Sequence, residues 1–141
     1  MKKKIGLSVL FTLAAVVLMA LPFGVPLRFA ISPTELKMEY FSYFDLMVWG
    51  AGGNMFPFIT AVIASISLPL YSWILLSKKD NTKLKKASLV LSVICAVTSV
   101  LATLLIFLFC CARVTSVIIT ILLLLAAGLQ FTSDTAKKQK M

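Results

Sequence analysis

Between Ala87 and Phe131 the chain runs for 45 residues with a single charge, Arg113. As one helix this stretch would extend about 67 Å, more than twice the roughly 30 Å hydrocarbon core of a bilayer. It must therefore fold back on itself. The expected place is Cys110-Cys111-Ala112-Arg113, which divides the stretch into spans of 87–110 and 114–131. So short a turn makes the two spans an antiparallel hairpin.

Two further apolar runs precede it. The first covers 5–23, behind Lys2, Lys3 and Lys4, and the second covers 56–76, with Asn54 as its cap and Pro69 inside it. A Lys-rich start before an apolar run also fits a cleaved signal segment. Two features favour an anchoring helix instead. The run exceeds the usual signal core, and Leu18, Pro22 and Arg28 stand where small residues would be needed before cleavage after Ala20, Gly24 or Ala30. Composition supports lipid as the solvent. The chain is 60% hydrophobic and 13% charged, with a mean hydropathy of +1.02, whereas average globular domains carry roughly 25% charged residues. A chain of this size buries only about two thirds of its surface on folding and has no place to hide so much apolar material from water.

The net charge of +9 is distributed in a way that sets orientation. Eleven of the fourteen basic residues fall in three clusters at the ends of apolar runs: Lys2–Lys4, the group Lys78, Lys79, Lys83, Lys85 and Lys86, and the group Lys137, Lys138 and Lys140. The positive-inside rule puts all three clusters, and with them both chain ends and the loop 77–86, in the cytoplasm. Arg28, Lys37 and Arg113 then lie outside. Nucleic-acid binding would need polar or aromatic readout residues between the charges, and none stand there. Anionic lipid headgroups are the partner these clusters fit.

The outer loop, 24–54, carries Arg28, Glu35, Lys37, Glu39 and Asp45. Ser32-Pro33-Thr34-Glu35 reads as a helix start, with Ser32 as cap, Pro33 in the first turn and Glu35 closing a capping box. Leu36, Tyr40, Phe44 and Met47 then recur at helical spacing, so a short amphipathic helix over about 33–47 is expected at the membrane surface. Phe41, Tyr43 and Trp49 suit the headgroup belt. The run Trp49-Gly50-Ala51-Gly52-Gly53-Asn54 ends that helix. The expected architecture is an all-α, four-span bundle in one membrane domain, residues 1–141, with a cytoplasmic tail over 132–141.

Few residues point to chemistry. The chain has no His, and no charge lies well inside a span. Ion-coupled transporters and proton relays normally carry such a group. In length and span number the chain is similar to the small four-helix multidrug exporters, but that family relies on a carboxylate in its first helix and residues 5–22 hold none. Claudin-like proteins show a Trp with a Cys pair in the first outer loop, where this chain has Trp49 without Cys. Cys110 and Cys111 lack the additional ligands that tetrahedral zinc requires, so no metal or cofactor is expected. Cys95 reads as a small packing residue. Glu35, Glu39 and Asp45 have no nucleophile or oxyanion donors beside them and read as a solvated face.

Two features remain as candidate contact surfaces. Ser88, Ser92, Ala96 and Ser99 recur on one face of the third span and continue to Thr103, a pattern that lets helix backbones approach closely. This face packs within the bundle or accepts a partner helix or lipid. Tyr40, Phe44 and Trp49 form the aromatic side of the outer loop. Pro69 is expected to kink the second span, with Ser65, Ser67 and Ser72 near the freed carbonyl. The expected function is that of a non-catalytic accessory or interaction protein of a bacterial plasma membrane, contacting another membrane protein or a second copy. The alternative is an oligomeric transporter or channel component, with its path near Pro69, Ser65, Ser92, Ser99 and Thr103.

Overall fold

The computed structural model describes residues 2–23, 25–32, 35–45, 55–77, 82–109 and 114–138. In chain order these hold α1 (Lys2–Ala20), β1 (Val25–Ser32), β2 (Glu35–Phe41), α2 (Met55–Leu76), α3 (Thr82–Phe109) and α4 (Val114–Lys138). All four helices are long and apolar enough to cross a membrane, the architecture of a multi-pass membrane protein. The expected turns at Lys78–Asn81 and Cys110–Arg113, and the glycine-rich break from Trp49 to Asn54, lie outside the described residues.

Hydropathy marks where lipid would end, not where a helix ends. α3 begins at Thr82, several residues before the apolar run, and α4 continues to Lys138. Lys and Ala are good helix formers and propagate a helix already nucleated by the span. α1 stops at Ala20, two residues before Pro22, a residue that disfavours helical geometry at the position preceding it.

The helices form a closed ring in which α1 packs on α2, α2 on α3, α3 on α4 and α4 back on α1. Every neighbour is antiparallel. Ser8 near the start of α1 meets Ala126 and Gln130 near the end of α4. Tyr71 near the end of α2 meets Ser92 in the first half of α3, and Leu75 Cδ1 lies 3.9 Å from where a Cβ on Gly6 would sit. Both described chain ends therefore share one end of the bundle with the end of α2 and the start of α3.

The ring closes on small and hydroxylated residues. α1 buries Ser8, Thr12, Ala15 and Met19, and α2 buries Thr60, Ala61, Ala64, Ser67 and Tyr71. α3 buries Ser88, Ser92, Ala96, Ser99 and Ala102, and α4 buries Ser116, Ile119, Thr120, Leu123 and Ala126. Most of the large apolar side chains point the other way: Leu10, Ile66, Trp73, Leu104, Phe107 and Phe131 are exposed on the outside of the ring. A water-soluble bundle would reverse this arrangement. α2 stays helical through Pro69, which lies on the exposed side. The hydroxyls of Ser65 and Ser67 donate back to the Ala61 and Ala64 carbonyls, at 2.8 and 2.7 Å.

The outer loop departs from expectation. In place of an amphipathic helix over 33–47, residues 25–41 form an antiparallel hairpin pairing Val25 with Phe41, Leu27 with Glu39 and Phe29 with Lys37. The capping bond expected at Ser32 does form, but within a hairpin instead of a helix. The Glu35 N–H donates to Ser32 Oγ at 3.1 Å and ties the end of β1 to the start of β2. The same seven residues of β2 also alternate, with Leu36, Met38 and Tyr40 at one parity and Lys37, Glu39 and Phe41 at the other. So short a run fits both periods, and pairing with β1 decides between them. Pro26 is tolerated because a two-stranded sheet has only edge strands. Lys37 and Glu39 are joined at 3.0 Å on the exposed surface, a pair that adds little stability.

A tight turn fixes the hairpin to the bundle. The Ser42 N–H donates to Asp45 Oδ2 at 2.6 Å, and the Phe44 N–H to Ser42 Oγ at 3.2 Å. The Tyr43 N–H donates at 3.0 Å to the Met19 carbonyl, one of the orphan acceptors at the end of α1. Val25 and Tyr43 are buried with Met19 in the core cluster, and Phe44 packs against it. Among the described residues the Tyr43 hydroxyl has no hydrogen-bond partner, although the residue is only 1% exposed. Burial lifts this phenol above its ordinary value.

Tyr43→Phe should therefore match or exceed wild-type thermal stability, since an unpaired buried hydroxyl costs about 1–3 kcal/mol. Tyr43→Ala should lose about 3–5 kcal/mol through the cavity it opens. Below the ordinary phenol pKa of about 10 the proton is held in both states. Above that pH the unfolded chain ionises first and stability falls, and Tyr43→Phe should lack this component in melts run against pH.

Candidate functional site

Polar atoms inside the ring are gathered in two groups, and the larger is built around Gln130. Ser88 Oγ and Ser92 Oγ both donate to Gln130 Oε1, at 2.9 and 2.8 Å. Gln130 Nε2 donates to Ser8 Oγ at 3.2 Å, and Ser8 passes its own proton to the Ala126 carbonyl at 3.1 Å. Because the Ser92 proton is committed to Gln130, the Tyr71 hydroxyl is the donor in its bond to Ser92. One amide thus links α1, α3 and α4 directly, and α2 through Tyr71. The antiparallel ring explains the meeting: the starts of α1 and α3 and the ends of α2 and α4 lie at the same end.

The second group joins α3 and α4 farther along. Thr120 donates its one proton to the Ser116 carbonyl at 3.0 Å. Thr120 Oγ1 also shares hydrogen bonds with Ser99 Oγ and Thr103 Oγ1, at 2.9 and 2.6 Å, and Thr103 lies 3.3 Å from the Ser116 carbonyl. Other interior hydroxyls are satisfied inside their own helices, Thr12 by the Ser8 carbonyl and Thr60 by the Phe56 carbonyl, both at 2.8 Å. Cys95 is free and buried, its sulfur 3.9 Å from the Thr60 carbonyl. Between these groups lies a cavity of about 10 Å³ bordered by Thr12, Ser67, Tyr71, Ser92 and Cys95. That is room for one water at most.

The face Ser88, Ser92, Ala96 and Ser99 therefore looks into the bundle. Its hydroxyls are bonded to α4 and are not presented to a partner. The aromatic residues of the outer loop are divided: Tyr40 is 44% exposed on β2, Phe44 packs against the core, and Trp49 lies outside the described residues. Pro69 takes no part in the polar groups. Gln130 went unmarked because it stands one residue before the end of the apolar run and reads as a flank. It is nevertheless the one amide side chain between 114 and 131, a signal that would have found it. Ser8 and Tyr71 carry no comparable mark.

Among the described residues no group of three or more His, Cys, Asp or Glu residues is placed to hold a metal ion. The interior offers donors and acceptors already satisfied by one another, an arrangement that holds helices in register. No protein-family model matches the chain, and no curated protein or solved structure is similar enough to count as a relative.

Gln130→Ala removes the acceptor of two serines and the donor to a third. It should lower the melting temperature in detergent, with a loss of about 1–3 kcal/mol. Gln130→Leu combined with Ser88→Ala and Ser92→Ala should recover part of that loss, since apolar replacement of all partners leaves fewer groups unpaired.

Proposed function

We propose that this protein is a non-catalytic membrane protein that acts by contact, a four-helix anchor presenting a β-hairpin on the outer side of a bacterial plasma membrane. In this reading both termini and the Lys-rich connection lie in the cytoplasm, following the positive-inside rule. The observation that carries it is the attachment of the hairpin. Val25 and Tyr43 are buried in the bundle core and the Tyr43 amide caps α1, while Met38 and Tyr40 stand exposed on β2. A surface held rigidly loses little conformational freedom on binding.

The interior supports the same reading over a transport role. Its hydroxyls and its amide are engaged with one another, and the cavity among them has a volume of about 10 Å³. A catalytic role finds equally little support: Glu39 is paired with Lys37, Asp45 holds the turn at Ser42, and the chain has no His. The partner is another membrane protein or its extracytoplasmic part.

The test is purification in mild detergent from native membranes after crosslinking. A stoichiometric partner is expected with the wild type, reduced at least tenfold with Met38→Ser plus Tyr40→Ser and unchanged with Leu76→Ala, an exposed residue at the far end of α2 from the hairpin. A homo-oligomer or monomer without partner would sink the contact reading and bring an oligomeric transporter forward. Reporter fusions check the orientation: an alkaline phosphatase joined after Met141 should be inactive and one inserted between Pro33 and Thr34 active.

A further inference from the structure

The outer surface of the α3–α4 pair is not evenly filled. Ala96, Ala127 and Gly128 leave an apolar groove of about 520 Å³, walled by Val93, Val97 and Phe131. A Cβ added at Gly128 would meet nothing within 4 Å. The groove spans Val93 to Leu101 on α3, about 12 Å along the helix axis, close to the depth of one leaflet. On α4 it covers Leu124 to Phe131, toward the lysine-rich end, and on α3 it crosses the middle of the helix.

Helical register links the groove to charge. Lys86, Val90, Val93 and Val97 follow one another at steps of four, three and four, on one face of α3, and all four are exposed. Lys86 stands two turns from Val93, about 10 Å nearer the bundle end. Lys83, three residues before Lys86, extends the same exposed face by one more turn. The described helices bring Lys2, Lys3, Lys4, Lys83, Lys85, Lys86, Lys137 and Lys138 to this end against one acidic residue, Asp134.

We infer that the groove is a binding site for one anionic phospholipid, with an acyl chain lying against Ala96 and Gly128 and the headgroup phosphate at the level of Lys83 and Lys86. A second copy is the competing occupant. In the same membrane it would bring its own lysine-rich end against this one, and like charges at that separation oppose the contact. An anionic headgroup removes that repulsion, with about 1 kcal/mol for each Lys near the surface. The inference rests on the reading that the helices lie in a bilayer, and not on any partner of the hairpin.

The experiment titrates the full-length, delipidated protein in detergent with phosphatidylglycerol or phosphatidylcholine and reads the melting temperature. Phosphatidylglycerol should stabilise saturably at a lower concentration than phosphatidylcholine. Lys83→Gln with Lys86→Gln should weaken the phosphatidylglycerol response about 30-fold, the equivalent of about 2 kcal/mol at about 1 kcal/mol per Lys. It should leave the phosphatidylcholine response unchanged. Gly128→Leu, which has room for its side chain, should weaken both lipids. Lys3→Gln with Lys4→Gln removes the same charge from α1 and should preserve the preference. Equal responses to the two lipids, or equal losses from the two lysine pairs, would overturn the site in favour of diffuse attraction. A Gly128→Cys variant that forms a disulfide dimer and no longer answers to lipid would overturn it in favour of a second copy. Co-purification of a hairpin partner is unaffected by any of these outcomes, so failure here leaves the contact reading to its own test.

Discussion

Close approach of four helix backbones is the constraint on which the remaining structure depends. Each helix turns inward a row rich in Ala, Ser or Thr at steps of three and four, interrupted by a few larger residues such as Met19, Ile119 and Leu123. Most of its bulky side chains turn outward. Between apolar helices in an apolar solvent there is little hydrophobic gain from contact, and association relies on dispersion at short range and on hydrogen bonds. Small residues supply the first. Their hydroxyls supply the second, provided that each finds an acceptor. The ring topology follows, because only adjacent antiparallel neighbours share the full length of such rows.

Gln130 illustrates the polar side of that constraint. An amide buried at the end of an apolar helix needs several partners, and a single neighbouring helix cannot provide them. Ser88 and Ser92 from α3 and Ser8 from α1 meet it, and Tyr71 joins from α2 through Ser92. Such a group fixes rotation and register of all four helices at once, since sliding any one of them by a turn leaves a buried donor or acceptor without its mate. Thr120 does the same for α3 and α4 farther along. Between the two groups, Thr12, Ser67, Tyr71, Ser92 and Cys95 border a cavity of about 10 Å³.

Two surfaces among the described residues are open to contact with other molecules. The hairpin is one, held to the bundle by Tyr43 and Val25. The lysine-flanked groove between α3 and α4 is another, and it exists because Gly128 and Ala127 leave a volume that larger residues would fill. No hairpin residue lines the groove, so contact with a protein and contact with a lipid would not compete for the same side chains.

The sequence by itself determined the number of long apolar helices, because 45 residues with one charge cannot remain a single helix in any bilayer. It also marked the small-residue face of α3, since spacing along one helix is a local property. Tertiary structure decided the rest. The segment 35–41 satisfies helical and alternating periods alike, and even the bond between Ser32 and the Glu35 amide serves either fold; only pairing with β1, a long-range event, makes it a strand. Whether Ser88, Ser92 and Ser99 face lipid, a partner or their own bundle was equally undetermined, because the answer lies with Gln130 and Thr120 on another helix. Hydrogen-bond partners 21 to 42 residues apart leave no periodic trace, and a lone glutamine at the edge of an apolar run becomes the centre of the molecule only when four helices converge on it.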